Sequence, residues 1–131
     1  MTRDEDERWM ARALALAENH RGRTAPNPIV GCVIVDRAGK LVASGAHAGP
    51  GKRHAEIVAL DRAGARAKGA TMYVTLEPCM HHGRTPPCAP VVRAAGVARV
   101  VVGSEDPVPG HGGGIEALRR GRISVARALV A

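Results

Sequence analysis

Apolar positions along the chain change period several times, and each change predicts an element. Between Thr2 and Asn19 they fall at Trp9, Met10, Ala13, Leu14 and Ala17, one stripe of an α-helix. Thr2-x-x-Glu5 ahead of the stripe has the form of a capping box, and Gly22 stops the helix. Residues 29–35 (IVGCVIV) are a short, continuous apolar run rich in β-branched side chains, which suits a buried strand. Asp36–Gly39 reads as a turn and residues 41–46 as a second strand, so these two strands should form an antiparallel hairpin. After a loop at Gly49-Pro50-Gly51, the helical period returns from His54 to about Ala67, with Ile57, Val58 and Leu60 apolar.

Residues 71–76 predict a third strand. Pro86-Pro87 precedes a helix to about Ala95, since proline is tolerated in a first turn. Residues 97–102 predict a fourth strand, 104–114 a loop crowded with Pro and Gly, 115–120 a short helix, and 123–126 a fifth strand. The order is α-β-β-α-β-α-β-α-β. Strands joined by helices imply an α/β fold, a largely parallel sheet with helices on its faces. No domain boundary, repeat or low-complexity tract interrupts it, so residues 1–131 are expected to form a single domain.

Composition narrows the choice of core and partner. Hydrophobic residues make up 45% of the chain and aromatics only 2%, so the core must come from Val, Ala, Leu and Ile. The scarcity of aromatics argues against a base-stacking platform for single-stranded nucleic acid. The formal charge is +7, carried mostly by Arg (the lysines are Lys40, Lys52 and Lys68), and it favours anionic partners such as phosphorylated metabolites. The basic residues are scattered, which makes a nucleic-acid tail a poor expectation. The acidic N-terminus (MTRDEDERWM) is not a secretory signal, and no apolar run nears the roughly 20 residues that span a bilayer. A cytoplasmic protein with no membrane partner is expected, its cysteines (Cys32, Cys79, Cys88) serving as metal ligands or free thiols rather than disulfides. Cys32, inside an apolar strand, reads as core.

Two segments carry chemistry: His54-Ala55-Glu56, and Pro78-Cys79 with Cys88 farther on. Both lie where a helix is expected to begin, and the free N–H groups there stabilise thiolates. One imidazole and two thiolates make a three-ligand zinc site with a fourth position left for water. A carboxylate beside that water can take its proton and pass it to a leaving group, and Glu56 is the candidate. Residues two apart do not share a helix face, so an irregular first turn would have to bring His54 and Glu56 together.

The H-x-E motif with a downstream P-C…C pair resembles the cytidine deaminase superfamily. The lengthened segment Leu76-Glu-Pro-Cys-Met-His-His-Gly-Arg-Thr-Pro-Pro-Cys88 resembles the deaminase domain of the riboflavin-biosynthesis diaminohydroxyphosphoribosylaminopyrimidine deaminases, as do Asn27-Pro-Ile-Val-Gly-Cys32 and Gly69-Ala-Thr-Met-Tyr-Val-Thr75. The resemblance runs from about Trp9 to Val125. It implies a cytidine deaminase-like three-layer α/β/α sandwich with a mixed five-stranded sheet. It also implies Zn2+ on His54, Cys79 and Cys88, and Glu56 as general acid/base. Asn27 and His47 would line the pyrimidine pocket. Arg84 would meet the substrate's 5′-phosphate with His81, His82 and Thr85 beside it, and Asp106 would contact the ribose side. The partners implied are a phosphorylated pyrimidine and a second copy of the chain, a homodimer.

The chain departs from the family at three places. Asp106-Pro-Val-Pro109 stands where the family reads Asp-Pro-Asn-Pro, the Gly110–Gly114 loop is about one residue short, and Lys52-Arg53 precedes the HAE triplet where a proline is usual. Val108 motivates an alternative, a diverged deaminase of a related pyrimidine, purine or pterin. The charge motivates another of a different class, a non-catalytic zinc module binding nucleic acid, which an intact H-x-E disfavours. No dinucleotide fingerprint is present, so the reductase that follows the deaminase in many family members is expected on a separate chain, if one takes part.

Overall fold

A computed structural model describes residues 3–18, 30–46, 54–76, 88–103 and 114–128, with Cys88 described in its backbone alone. The elements are α1 (Arg3–Glu18), β1 (Gly31–Val35), β2 (Leu41–Ala46), α2 (Ala55–Ala63), β3 (Thr71–Val74), α3 (Cys88–Ala94), β4 (Arg99–Val102), α4 (Gly114–Arg120) and β5 (Ser124–Arg127). Their order is the expected one. The helix expected to reach Ala67 is α-helical only to Ala63, and a 3-10 turn (Gly64–Ala67) completes it. Thr2, Gly22 and the start of the first apolar run lie outside the described residues.

The five strands form one sheet in the order β2-β1-β3-β4-β5. β1 is antiparallel to both β2 and β3, while β3, β4 and β5 are parallel. Four strands therefore run one way and β1 alone runs against them. The expected hairpin is present, but β3 pairs with β1 rather than with β2, because α2 carries the chain across β1 before β3 begins. The third strand was expected to reach residue 76 and ends at Val74. There Thr75 turns out of the ladder, its amide donating to the Gly31 carbonyl (3.1 Å) and its hydroxyl accepting from the Gly31 amide (3.1 Å).

Strand alternation sorts side chains onto two faces. Cys32, Ile34, Met72, Val74, Val100 and Val102 meet α2, α3 and α4 in the larger core. Val33, Val35, Tyr73 and Val101 meet Met10 and Ala13 of α1 in the smaller one, with Trp9 and Leu14 partly buried at its border. The result is the three-layer sandwich. Burying this apolar surface is the main force holding the layers, at about 25 cal/mol for each Å² removed from water.

A polar triad also ties α1 down. Asp6, buried in the helix's first turn, accepts from the Tyr73 hydroxyl (2.7 Å) and from both terminal nitrogens of Arg99 (2.9 and 2.5 Å). Burial pushes the Asp6 carboxyl up, but the hydrogen bonds from Arg99 and Tyr73 and the Arg99 charge outweigh it and hold the group below its ordinary value. Among the described residues, no helix is long and apolar enough to cross a membrane.

The apolar residues of α2 do not all face the sheet. Ile57 and Val58 are only partly buried, and the face against the sheet is Ala55, Glu56, Ala59, Leu60 and Ala63. The three alanines among them let the helix lie close to the strands.

Candidate active site

β1 runs against its neighbours, so its first residue lies at the same edge as the last residues of β2 and β3. Gly31 pairs with Ala46, and Cys32 with Val74. Gly103, just past β4, donates to the Val74 carbonyl (2.9 Å) at the same edge. Ligands of open α/β sheets bind beyond the carboxyl ends of the strands. The described chain ends at this edge flank every segment that carries an expected site residue.

His54 is the N-cap of α2, with extended backbone (φ −68°, ψ 157°). Its carbonyl accepts the first helical bond, from the Val58 amide (3.1 Å). An extended residue directly before the helix frees His54 and Glu56 from the helical rule that parts residues two positions apart. His54 is partly buried, and Glu56 is 4% exposed on the core side of the first turn. A carboxylate taken from water has to be compensated by partners, and Glu56 is held on the side of the helix that faces the sheet.

Cys88 opens α3, as the preceding prolines suggest, and α3 packs beside α2. The heads of both helices therefore lie over the carboxyl edge, on one face of the sheet. Asn27, His47, Cys79, His81, His82, Arg84, Thr85 and Asp106 lie outside the described residues, as does the Cys88 side chain. Among the described residues, no three His, Cys, Asp or Glu side chains form a metal-binding group. The donor set itself fits zinc. An imidazole sits on an extended cap, and a cysteine heads the adjacent helix, where the free N–H groups favour thiolate.

Cys32 is core, as expected, with a fully buried side chain. Burial raises its thiol well above the ordinary range, and the Glu56 charge raises it further. The neutral thiol thus forms part of the floor near Glu56. Two framework residues were not singled out from the sequence. Thr75 pins the start of β1 to the end of β3, and in the sequence it is marked only as the last residue of the family-like segment Gly69–Thr75. Gly45 lies inside β2, and a glycine within a strand pattern signals close backbone approach.

The comparisons with known proteins agree with this fold. A family profile described as "Cytidine and deoxycytidylate deaminase zinc-binding region" matches residues 3–104. The riboflavin biosynthesis protein RibD of Escherichia coli is 54% identical over 127 residues, covering 96% of this chain and 34% of that protein. The chain thus spans about a third of the length of such relatives. A shorter relative from Buchnera aphidicola, named diaminohydroxyphosphoribosylamino-pyrimidine deaminase, is 46% identical over 95% of this chain and 85% of its own length. The solved structure of Acinetobacter baumannii RibD, form 2, superposes with a TM-score of 0.93 at 46% identity, over 97% of this chain and 36% of that one. In sequence and in fold, the chain belongs to the cytidine and deoxycytidylate deaminase family.

Proposed function

We propose that the chain hydrolytically deaminates 2,5-diamino-6-ribosylamino-4(3H)-pyrimidinone 5′-phosphate to the 5-amino-6-ribosylaminouracil phosphate and ammonia, in riboflavin biosynthesis. The observation that carries the reading is the buried Glu56 in the first turn of a helix capped by an extended His54. The strong similarity to a relative named for this deamination supports the choice of substrate. His54, Cys79 and Cys88 hold zinc, which when bound lowers the pKa of water toward about 7.

Glu56 takes a proton from the attacking water and delivers it to the ring nitrogen beside the amino-bearing carbon. It then carries the second proton to the departing amine, so that water and the amidine become a carbonyl and ammonia. Its core-side position keeps bulk water from competing for the proton. Asn27 and His47 orient the pyrimidine, Arg84 and Thr85 receive the 5′-phosphate, and Asp106 meets the ribose side. Guanidinium pairs well with phosphate, and a positive field draws such a substrate in. The enzyme works in the cytoplasm as a homodimer, and residues 1–131 act as one deaminase domain. Reduction of the product is the task of residues outside 1–131 or of another chain.

The test is ammonia release from the ribotide by zinc-loaded protein, beside a Glu56→Gln variant. Parent turnover with a loss of about 10²- to 10⁴-fold in Glu56→Gln at unchanged zinc content is the expected result. Equal rates in the two proteins would remove Glu56 from the reaction. Val108 favours a second reading, deamination of a related pyrimidine, purine or pterin. A fully zinc-occupied parent inert toward the ribotide would move the substrate there.

A further inference from the structure

We propose that Gly45 is a positioning residue for deamination. Its missing side chain lets the first turn of α2 settle onto β2 and sets the height of His54 and Glu56 above the sheet. The proposal rests on the reading of His54 and Glu56 given above. A Cβ built on Gly45 would lie 2.7 Å from the Ala55 carbonyl oxygen, 2.8 Å from the Ala59 amide nitrogen and 2.9 Å from the Val58 Cβ. Two of these three neighbours are backbone atoms of α2, so no side-chain rotation relieves the overlap. The nearest belongs to Ala55, the residue between the expected ligand and the expected acid.

Gly45 pairs across the strands with Cys32, so both face α2. The pair forms a floor with one empty position and one small side chain. Farther along α2, the Arg62 guanidinium donates to the Ser44 carbonyl (3.0 Å). The helix is thus held against β2 at its Gly45 contact and again through Arg62, and it cannot rise without tilting. Gly45 also lies two positions before His47, so one backbone contact joins the metal-bearing helix to the strand that leads toward the pyrimidine pocket.

A Cβ at position 45 requires α2 to move by several tenths of an ångström. Misplacing catalytic groups by about 1 Å can cost on the order of 100-fold in rate. The experiment compares four zinc-loaded proteins: parent, Gly45→Ala, Glu56→Gln, and Asp6→Asn as a variant destabilised at the opposite edge and on the other face. For Gly45→Ala, kcat should fall by roughly 100-fold with KM within a factor of about three, at full zinc occupancy. The absorption bands of the Co²⁺-substituted protein should shift in Gly45→Ala and stay in place in Asp6→Asn, whose kcat should match the parent.

A folded Gly45→Ala with parental kcat and an unshifted cobalt spectrum would overturn the proposal. An active Glu56→Gln would instead overturn the underlying site reading. If Gly45→Ala does not fold, Cys32→Val raises the same floor from the paired position. Loss of kcat and a shifted spectrum support the proposal, and parental values in that variant refute it.

Discussion

Asp6 and Arg99 lie far apart in the chain, yet they form a part-buried ionic contact. Asp6 sits in an acidic run with Asp4, Glu5 and Glu7, and no sequence pattern separates it from its solvated neighbours. The same blindness applies to Glu56, whose burial depends on how α2 settles on the sheet. What was legible at this scale was the chemistry of His54-Ala55-Glu56, since residue type and motif carry it without coordinates. The Asp6 carboxyl is held below its ordinary value in the folded state, so the pair stabilises fully above the unfolded carboxyl value of about 4. That stabilisation is lost as pH falls through the lowered folded value. Thermal melting followed from neutral to acid pH should therefore fall off below about pH 4. Asp6→Asn should lose about 2 kcal/mol at neutral pH and show a flatter acid limb, because a neutral amide replaces the carboxylate that accepts from Arg99. An acid limb as steep as the parent's would place the titration elsewhere.

Among the elements, α4 ends in a way the sequence half announces. The Ile123 amide donates to the Leu118 carbonyl (3.1 Å) and the Arg122 amide to the Arg119 carbonyl (3.0 Å), the bond pair of a Schellman motif. Leu118 and Ile123 both join the larger core, which supplies the apolar contact of that motif. The left-handed position is Arg122 (φ 65°), one residue after the glycine that would favour it. Arg122→Gly should stabilise the protein by about 1 kcal/mol, read as a shifted denaturant midpoint at constant slope. A lower midpoint would mean that the Arg122 side chain contributes more than its backbone strain costs. Element types and order were readable throughout, since periods of 2 and 3.6 are local properties. The pairing of β3 with β1 was not, because sheet order depends on where a crossover lands. Nor was the alanine face of α2, since the eye goes to Ile57 and Val58 and overlooks Ala55, Ala59 and Ala63.

The whole molecule is a sheet with two unlike edges. At the carboxyl edge, the proposed zinc ligands come from separate segments of chain, so a metal there would tie together the heads of α2 and α3. A ligand that binds only the folded state stabilises by about 4 kcal/mol when present at 1,000 times its dissociation constant. Chelation should therefore lower the melting temperature of the parent, and added zinc should restore it. Cys88→Ser should start low and respond little to either treatment. Melting of the parent that ignores both chelator and zinc would argue against a bound ion. The opposite edge is built from short turns. The one from Asp36 to Lys40 closes on itself, the Asp36 carboxylate accepting from the Ala38 and Lys40 amides (both 2.9 Å) and the Asp36 amide donating to the Lys40 carbonyl (2.9 Å). A turn so closely hydrogen-bonded within its own backbone, a strand's length from the proposed chemistry, is a natural place for grafted cargo. A reporter peptide, an affinity handle or an entire guest domain spliced between Ala38 and Gly39 would hang from the back of the sheet and leave the proposed site open.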